Sequence, residues 1–308
     1  MRGLQGDKTQ MEVTKIKEFT GHTAAIYSLS KSAKAGHFIS CGSEGIVAEW
    51  NLETGEGKAI VQAPGAVFAI CMIPERELLL LGLQSGDLVF VDLRNGATLK
   101  RVQLHKKSVF DLLPLPDGQH VMASGEDGAI SVWNLDRMDH LHYQQIAAKS
   151  VRTLALDATT QRLYAGASDQ RIREFDLGLN PLREWRAHGK SIFRVLVGEG
   201  GSLFSTGLDA HVKRWDLNAE GLPVESVSVP AHLYAVNDLV MSPGGLLTSG
   251  SMDKSIKFWD AGTLELLKVV NFEKNQCHWN GVNRLLWVGE TLLSCSDDRK
   301  IMQWSVNA

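Results

Sequence analysis

The chain of 308 residues is poor in cysteine, with only 4, and poor in proline, with 8. Cys41 and Cys295 lie near opposite ends, Cys71 sits in an apolar run and Cys277 immediately precedes His278. Neither a disulfide framework nor a paired-Cys zinc ribbon fits that distribution, so reduced thiols in a cytoplasmic setting are expected. No apolar run approaches the roughly 20 residues of a membrane helix. The first segment carries Asp7, Lys8, Glu12, Lys15, Lys17 and Glu18 and has no apolar stretch of the kind a secretion signal needs. Charge of one sign is missing too. The net charge is −3 and Lys/Arg are scattered, which is not the footprint of a nucleic-acid binder. A Gly-rich phosphate loop opening a helix and a Gly-x-Ser-x-Gly elbow are both absent, so no cofactor is expected.

What the chain does have is a repeat. Seven times a Gly/Ser/Asp-rich turn precedes a short apolar strand that closes on Trp50, Val91, Trp133, Phe175, Trp215, Trp259 or Trp304. The spacings are 41, 42, 42, 40, 44 and 45 residues, a period that suits four strands per propeller blade. Other positions keep register with the closing residue. Six before it stand Glu44, Ser85, Asp127, Asp169, Asp209, Asp253 and Asp298. Ten before it stand Ser40, Ser205, Ser249 and Ser294, with Leu81, Ala123 and Ala165 as exceptions. Some 26 to 28 before it stand His22, His105, His188, His232 and His278.

From about residue 13 to the end, this pattern resembles the WD-repeat β-propeller family. The resemblance implies an all-β, seven-bladed propeller of four-stranded antiparallel blades that binds proteins. It also implies a hydrogen-bonded His-Ser-Asp-Trp tetrad in each complete blade. The tetrads would be His188, Ser205, Asp209 and Trp215 in blade five, His232, Ser249, Asp253 and Trp259 in blade six, and His278, Ser294, Asp298 and Trp304 in blade seven. Blade one has Glu44 for Asp and blade three has Ala123 for Ser. Blade two, with Ala63, Leu81, Ser85 and Val91, departs everywhere and is expected to be held by packing alone.

Turn chemistry agrees with a meander. Pro116-Asp117-Gly118, Gly198-Glu199-Gly200-Gly201 and Ser242-Pro243-Gly244-Gly245 suit the first turn of a blade, and Glu44-Gly45, Ser85-Gly86 and Asp127-Gly128 the second. First strands carry apolar pairs three apart, such as Ile26 and Leu29 or Val109 and Leu112, which breaks strict alternation and predicts a bulge. Val13 to Phe19 has strand character but no blade of its own, and the last repeat has only four residues beyond Trp304. Pairing the two would close the ring and remove the open sheet edges. The expected organisation is a disordered extension over 1–10, with Met11 an equally good start, and one propeller over 11–308, monomeric on its own.

Repeated His and Asp in blade after blade are architecture, since a catalytic or metal constellation converges once. His140 and His142 share a predicted outer strand but lack further ligands at usual spacing, so no metal is expected. Asp111 and Asp238 on innermost strands could serve a hydrolase or lactonase acting at the central channel, the rival to a binding role. Arg194 and Arg284 occupy matching places and predict internal pairing instead. The Asp92-Leu93-Arg94 run partly resembles a ubiquitin-ligase recruitment element, with Val91 in place of its Trp; a strand end before an Asn95-Gly96 turn is the simpler expectation.

The family resemblance implies docking on the rim of the channel mouth. The residues expected there are Tyr27, Phe68, Phe110, Arg152, Phe193, Asn237 and Asn283, each just after the first apolar residue of an innermost strand. Lys106, Lys107, Lys149 and Lys190 should form a basic arc over blades three to five, with Tyr234 and Trp279 across the ring. An acidic peptide with an apolar anchor suits such a face, and neither nucleic acid nor membrane does.

Overall fold

The computed structural model describes residues 11–217 and 221–307 and forms seven four-stranded antiparallel sheets. Blade one runs outward through Ile26–Lys31, His37–Gly42, Ile46–Asn51 and Gly57–Gln62. Five further blades repeat this order, and the innermost strands touch in cyclic sequence until Val282–Val288 of blade seven meets Ile26–Lys31 of blade one. Closure comes as expected. Glu12–Phe19 pairs antiparallel with Ile301–Asn307, from Glu12 opposite Asn307 to Phe19 opposite Ile301, and supplies the outer strand of blade seven. The expectation for residues 1–10 lies outside the described residues.

The core is divided between blades. Each of the seven apolar clusters draws on two neighbouring sheets, as where Leu80, Leu88 and Phe90 of blade two pack with Val109, Val121 and Trp133 of blade three. The ring seam has its own cluster, with Phe19, Ile26, Phe38 and Trp50 against Leu293, Cys295 and Ile301. Every sheet therefore buries both faces, which is why second strands such as Leu78–Leu83 read as continuous apolar runs. All four cysteines are free and buried. No helix among the described residues is long and apolar enough to cross a membrane.

The predicted bulge is present in all seven innermost strands. Register slips between Ile26 and Ser28, Val67 and Ala69, Val109 and Asp111, Val151 and Thr153, Ile192 and Arg194, Val236 and Asp238, and Val282 and Arg284. The skipped residue is in each case the one expected at the channel mouth. An extra residue on one strand has no ladder partner, so its side chain is turned out of the sheet's alternation.

Candidate partner-binding face

Seven bulges bring seven side chains to one place. Tyr27, Phe68, Phe110, Arg152, Phe193, Asn237 and Asn283, with Arg284 below them, line a single depression of about 190 Å³ at the channel mouth. Five of them form a continuous stack. Tyr27 lies flat on Phe68 at 4.8 Å, Phe68 meets Phe110 edge-on at 5.8 Å, and the Arg152 guanidinium sits 4.8 Å from Phe110 and 4.7 Å from Phe193. Burial pulls the Arg152 guanidinium below its ordinary value, and nearby Glu126 only partly offsets that. The remaining two residues tie blades together. Asn237 Nδ2 donates to the Val282 carbonyl at 2.9 Å, and Asn283 Nδ2 to the Ile26 carbonyl at 2.9 Å and to Asp297 Oδ1 at 2.7 Å.

Beneath the mouth the channel charges pair as expected. Arg194 reaches Asp238 at 3.2 Å and Asp111 at 3.4 Å, and Arg284 reaches Asp238 at 3.6 Å. The carboxylates also accept backbone N–H groups, Asp111 from Leu154 at 2.9 Å and Asp238 from Leu285 at 2.8 Å. Asp111 also accepts the Leu112 N–H on its other oxygen, at 3.1 Å, so both carboxylates are engaged on both oxygens and poorly placed to activate water, which weighs against the channel-hydrolase alternative.

Around the mouth, two sets of loops share one face because the strands of a meander alternate in direction. These are the loops leading into each first strand and the turns between second and third strands. One backbone bond joins them in each blade, such as Leu208 N to Ser191 O and Met252 N to Ala235 O, both at 2.9 Å. Over blades three to five this rim carries Lys106, Lys107, Lys149 and Lys190, all exposed, with Lys107 3.7 Å from Glu126. Over blades six and seven it carries large apolar side chains, with Leu233 85%, Tyr234 65%, Met252 53% and Trp279 51% exposed, beside the exposed Lys254, Asp297 and Arg299. Leu208 of blade five extends that apolar crescent. Sequence reasoning found Tyr234 and Trp279 but missed Leu208, Leu233 and Met252. A signal existed for Leu233: it takes the place held by Thr23, Lys106 and Gly189 in other blades, where nothing apolar is required.

The tetrads stand behind this rim. In blade six His232 contacts Asp253 at 2.9 Å and Ser249 at 2.8 Å, and Trp259 Nε1 donates to Ser249 Oγ at 2.9 Å. Blade seven repeats this with His278, Asp298, Ser294 and Trp304, and blade five with His188, Asp209, Ser205 and Trp215. Each Asp also accepts the N–H of the residue after the His, which fixes the rim loop. Glu44 does the same in blade one, bonding His22 and the Thr23 N–H. Burial alone would lift the Asp209 carboxyl, but His188 and the Gly189 and His211 N–H groups outweigh it and hold it at about 2.

Two blades depart from expectation. Blade three keeps a full tetrad despite Ala123, because Ser131 on the facing strand takes the role: His105 Nε2 lies 2.8 Å from Ser131 Oγ, and Trp133 Nε1 donates to it at 2.7 Å. Ala123 and Ser131 are direct register partners, so the hydroxyl has moved one strand outward into the same space. Blade two is not held by packing alone. Buried Asp87 accepts two bonds from Arg101 of the outer strand, at 2.8 and 2.9 Å, and one from Ser85. A substituted polar clamp therefore replaces the lost tetrad.

His140 and His142 do not share a site: His140 packs against the Trp133 ring, and His142 bonds to Gln144 at 3.1 Å. Arg94 folds back onto Asp92 at 2.8 and 2.6 Å beside the positive-φ Gly96, the geometry of a strand-end turn.

The WD domain, G-beta repeat family matches residues 13–51, 96–134 and 224–260, which fall in blades seven and one, two and three, and five and six. The chain is 21% identical over 243 residues to the WD repeat-containing protein 91 homolog of Dictyostelium discoideum, covering 75% of this chain and 31% of that protein. It is 25% identical over 185 residues to the Striatin homolog of the same organism, covering 54% of this chain and 22% of that protein. The chain thus spans less than a third of either relative. Its fold matches the crystal structure of the WD40 beta propeller domain of Doa1 with a TM-score of 0.84, over 96% of this chain and 97% of that one, at 16% identity.

Proposed function

Because the chain is a seven-bladed propeller of WD40 repeats, we propose that it is a non-catalytic scaffold whose channel-mouth face holds a segment of a partner protein. WD40 homologues generally mediate protein–protein interaction, and one observation carries the assignment to this face. All seven bulges aim their residues at one mouth, and an exposed apolar crescent of Leu233, Tyr234, Met252 and Trp279 borders it. Large apolar side chains gathered at that exposure are a docking signature rather than a packing requirement. The lysines opposite give the face two chemistries, apolar on one side and cationic on the other. A partner segment with an apolar anchor and acidic residues matches both.

The test is affinity capture with mass spectrometry, comparing wild type with Phe110→Ala, Trp279→Ala and a control, Leu222→Ala, in a turn on the opposite face. The expected result is a partner retained by wild type and Leu222→Ala and reduced at least tenfold in both mouth variants. Equal recovery by all four proteins would assign docking elsewhere.

A further inference from the structure

Resting on that reading, we propose that Arg152 is a preorganised receptor for a carboxylate side chain of the docked segment. Arg152 comes from the bulge of blade four and is clamped by phenyl rings of both neighbouring blades, Phe110 and Phe193. Its Nε donates to Ser168 Oγ at 3.2 Å. Glu126 acts on it only at longer range, and among the described residues no carboxylate lies within ion-pair reach of it. Partly buried cations are normally paired, so this one is conspicuous.

Acids that could neutralise it are already committed. Glu126 takes a bond from Ser108 at 3.0 Å and lies 3.7 Å from the Lys107 ammonium, and Asp297 is held by Asn283. The clamp fixes the guanidinium plane without using its two amino groups, which suit a carboxylate approached as a two-pronged fork. Little side-chain freedom is left to lose on binding. The slot between the rings is filled by the chain's own cation, so a cationic side chain has no place there. An apolar neighbour of the bound acid would meet the Tyr27–Phe68 stack.

The experiment selects phage-displayed random dodecapeptides on the immobilised full chain and remakes the enriched sequences as labelled peptides for fluorescence polarisation. The expected peptides carry Asp or Glu at one fixed position beside an apolar residue. Changing that acid to its amide should weaken binding to wild type tenfold or more. Arg152→Gln should weaken the acidic peptide equally and be indifferent to the acid-to-amide change, as a thermodynamic cycle requires of a direct pair. Arg152→Lys, which keeps the charge but loses the fork, should fall between. The acid-to-amide comparison on wild type needs no variant to fold. No acidic enrichment, no binders, or an undiminished acid preference in Arg152→Gln would each overturn the assignment. Peptides that need Trp279 but ignore the acid would sink Arg152 while sparing the docking face; peptides indifferent to both would sink the two together.

Discussion

Blades seven and two have the same four-stranded shape and hold it by different means. In blade seven a chain of buried donors runs from the Trp304 indole N–H to Ser294 Oγ, from that hydroxyl to His278 Nε2, and from His278 Nδ1–H to Asp298, at 2.9, 2.8 and 2.8 Å. Each of these buried polar groups has a partner within the blade. Blade two fills the same volume with fully buried Leu79, Leu80, Leu81, Phe90 and Val91, and keeps one half-exposed clamp from Arg101 to Asp87. The lesson is that alternation and the shared cores make a blade, while the tetrad pins the rim loop above it. All five tetrad acids accept the N–H of the rim-loop residue that follows the His, and Trp279 is held this way.

The largest difference should appear on deletion. His278→Ala leaves a buried carboxylate with only the Trp279 and Lys300 N–H groups and a buried hydroxyl with only the Trp304 indole, and should cost about 3 kcal/mol or more. Asp87→Ala should cost only about 1 kcal/mol, because half-exposed Arg101 can return to water. Urea unfolding of the two variants measures both, and equal midpoint shifts would break the comparison. Acid should separate the blades next. Burial holds His232 below its ordinary 6.5 despite the opposing pull of Asp253. Below 6.5 the unfolded chain then binds a proton that folded blade six resists, so its stability falls as pH falls. The depressed carboxyls of Asp127 and Asp209, at about 2 against an ordinary 3.8, add a second loss as pH drops below 3.8. Hydrogen exchange between pH 7 and 5 should show blade six losing protection while blade two, which has no tetrad His, does not.

The comparison also marks how far sequence reaches. Blade number, ring closure, the bulges and the seven mouth residues were all legible, because each repeats at a fixed offset and repetition averages out local accident. What was not legible broke the repeat. Arg101 and Ser131 act across strands, and a cross-strand partner has no constant sequence offset until the register is known. The apolar crescent was half visible for a similar reason: Tyr234 and Trp279 are aromatic and draw notice, whereas Leu233 and Met252 look like ordinary core residues until their exposure is seen. Positive-φ turns tell the same story. Gly45, Gly86 and Gly128 announce themselves, but Gln170, Ala210, Lys254 and Arg299 adopt the same left-handed geometry in blades four to seven without a glycine to signal it.

The relocated serine of blade three offers the finest test of what a tetrad needs. If its contribution lies in a hydroxyl placed between His and Trp, the strand that supplies it should not matter. Ser131→Ala should cost about 1 to 2 kcal/mol, by stranding the Trp133 N–H and His105 Nε2 in the core. Adding Ala123→Ser should recover most of that loss, because Ser40, Ser205, Ser249 and Ser294 occupy the same place in their own blades and bond the same two partners. Ala123→Ser alone puts two hydroxyls where one is required, and should be neutral or slightly destabilising. Thermal unfolding of the three variants measures the cycle. A double variant no more stable than Ser131→Ala would mean that the facing strand has adapted to its serine, and that blade three follows its own packing rather than the plan of blades five to seven.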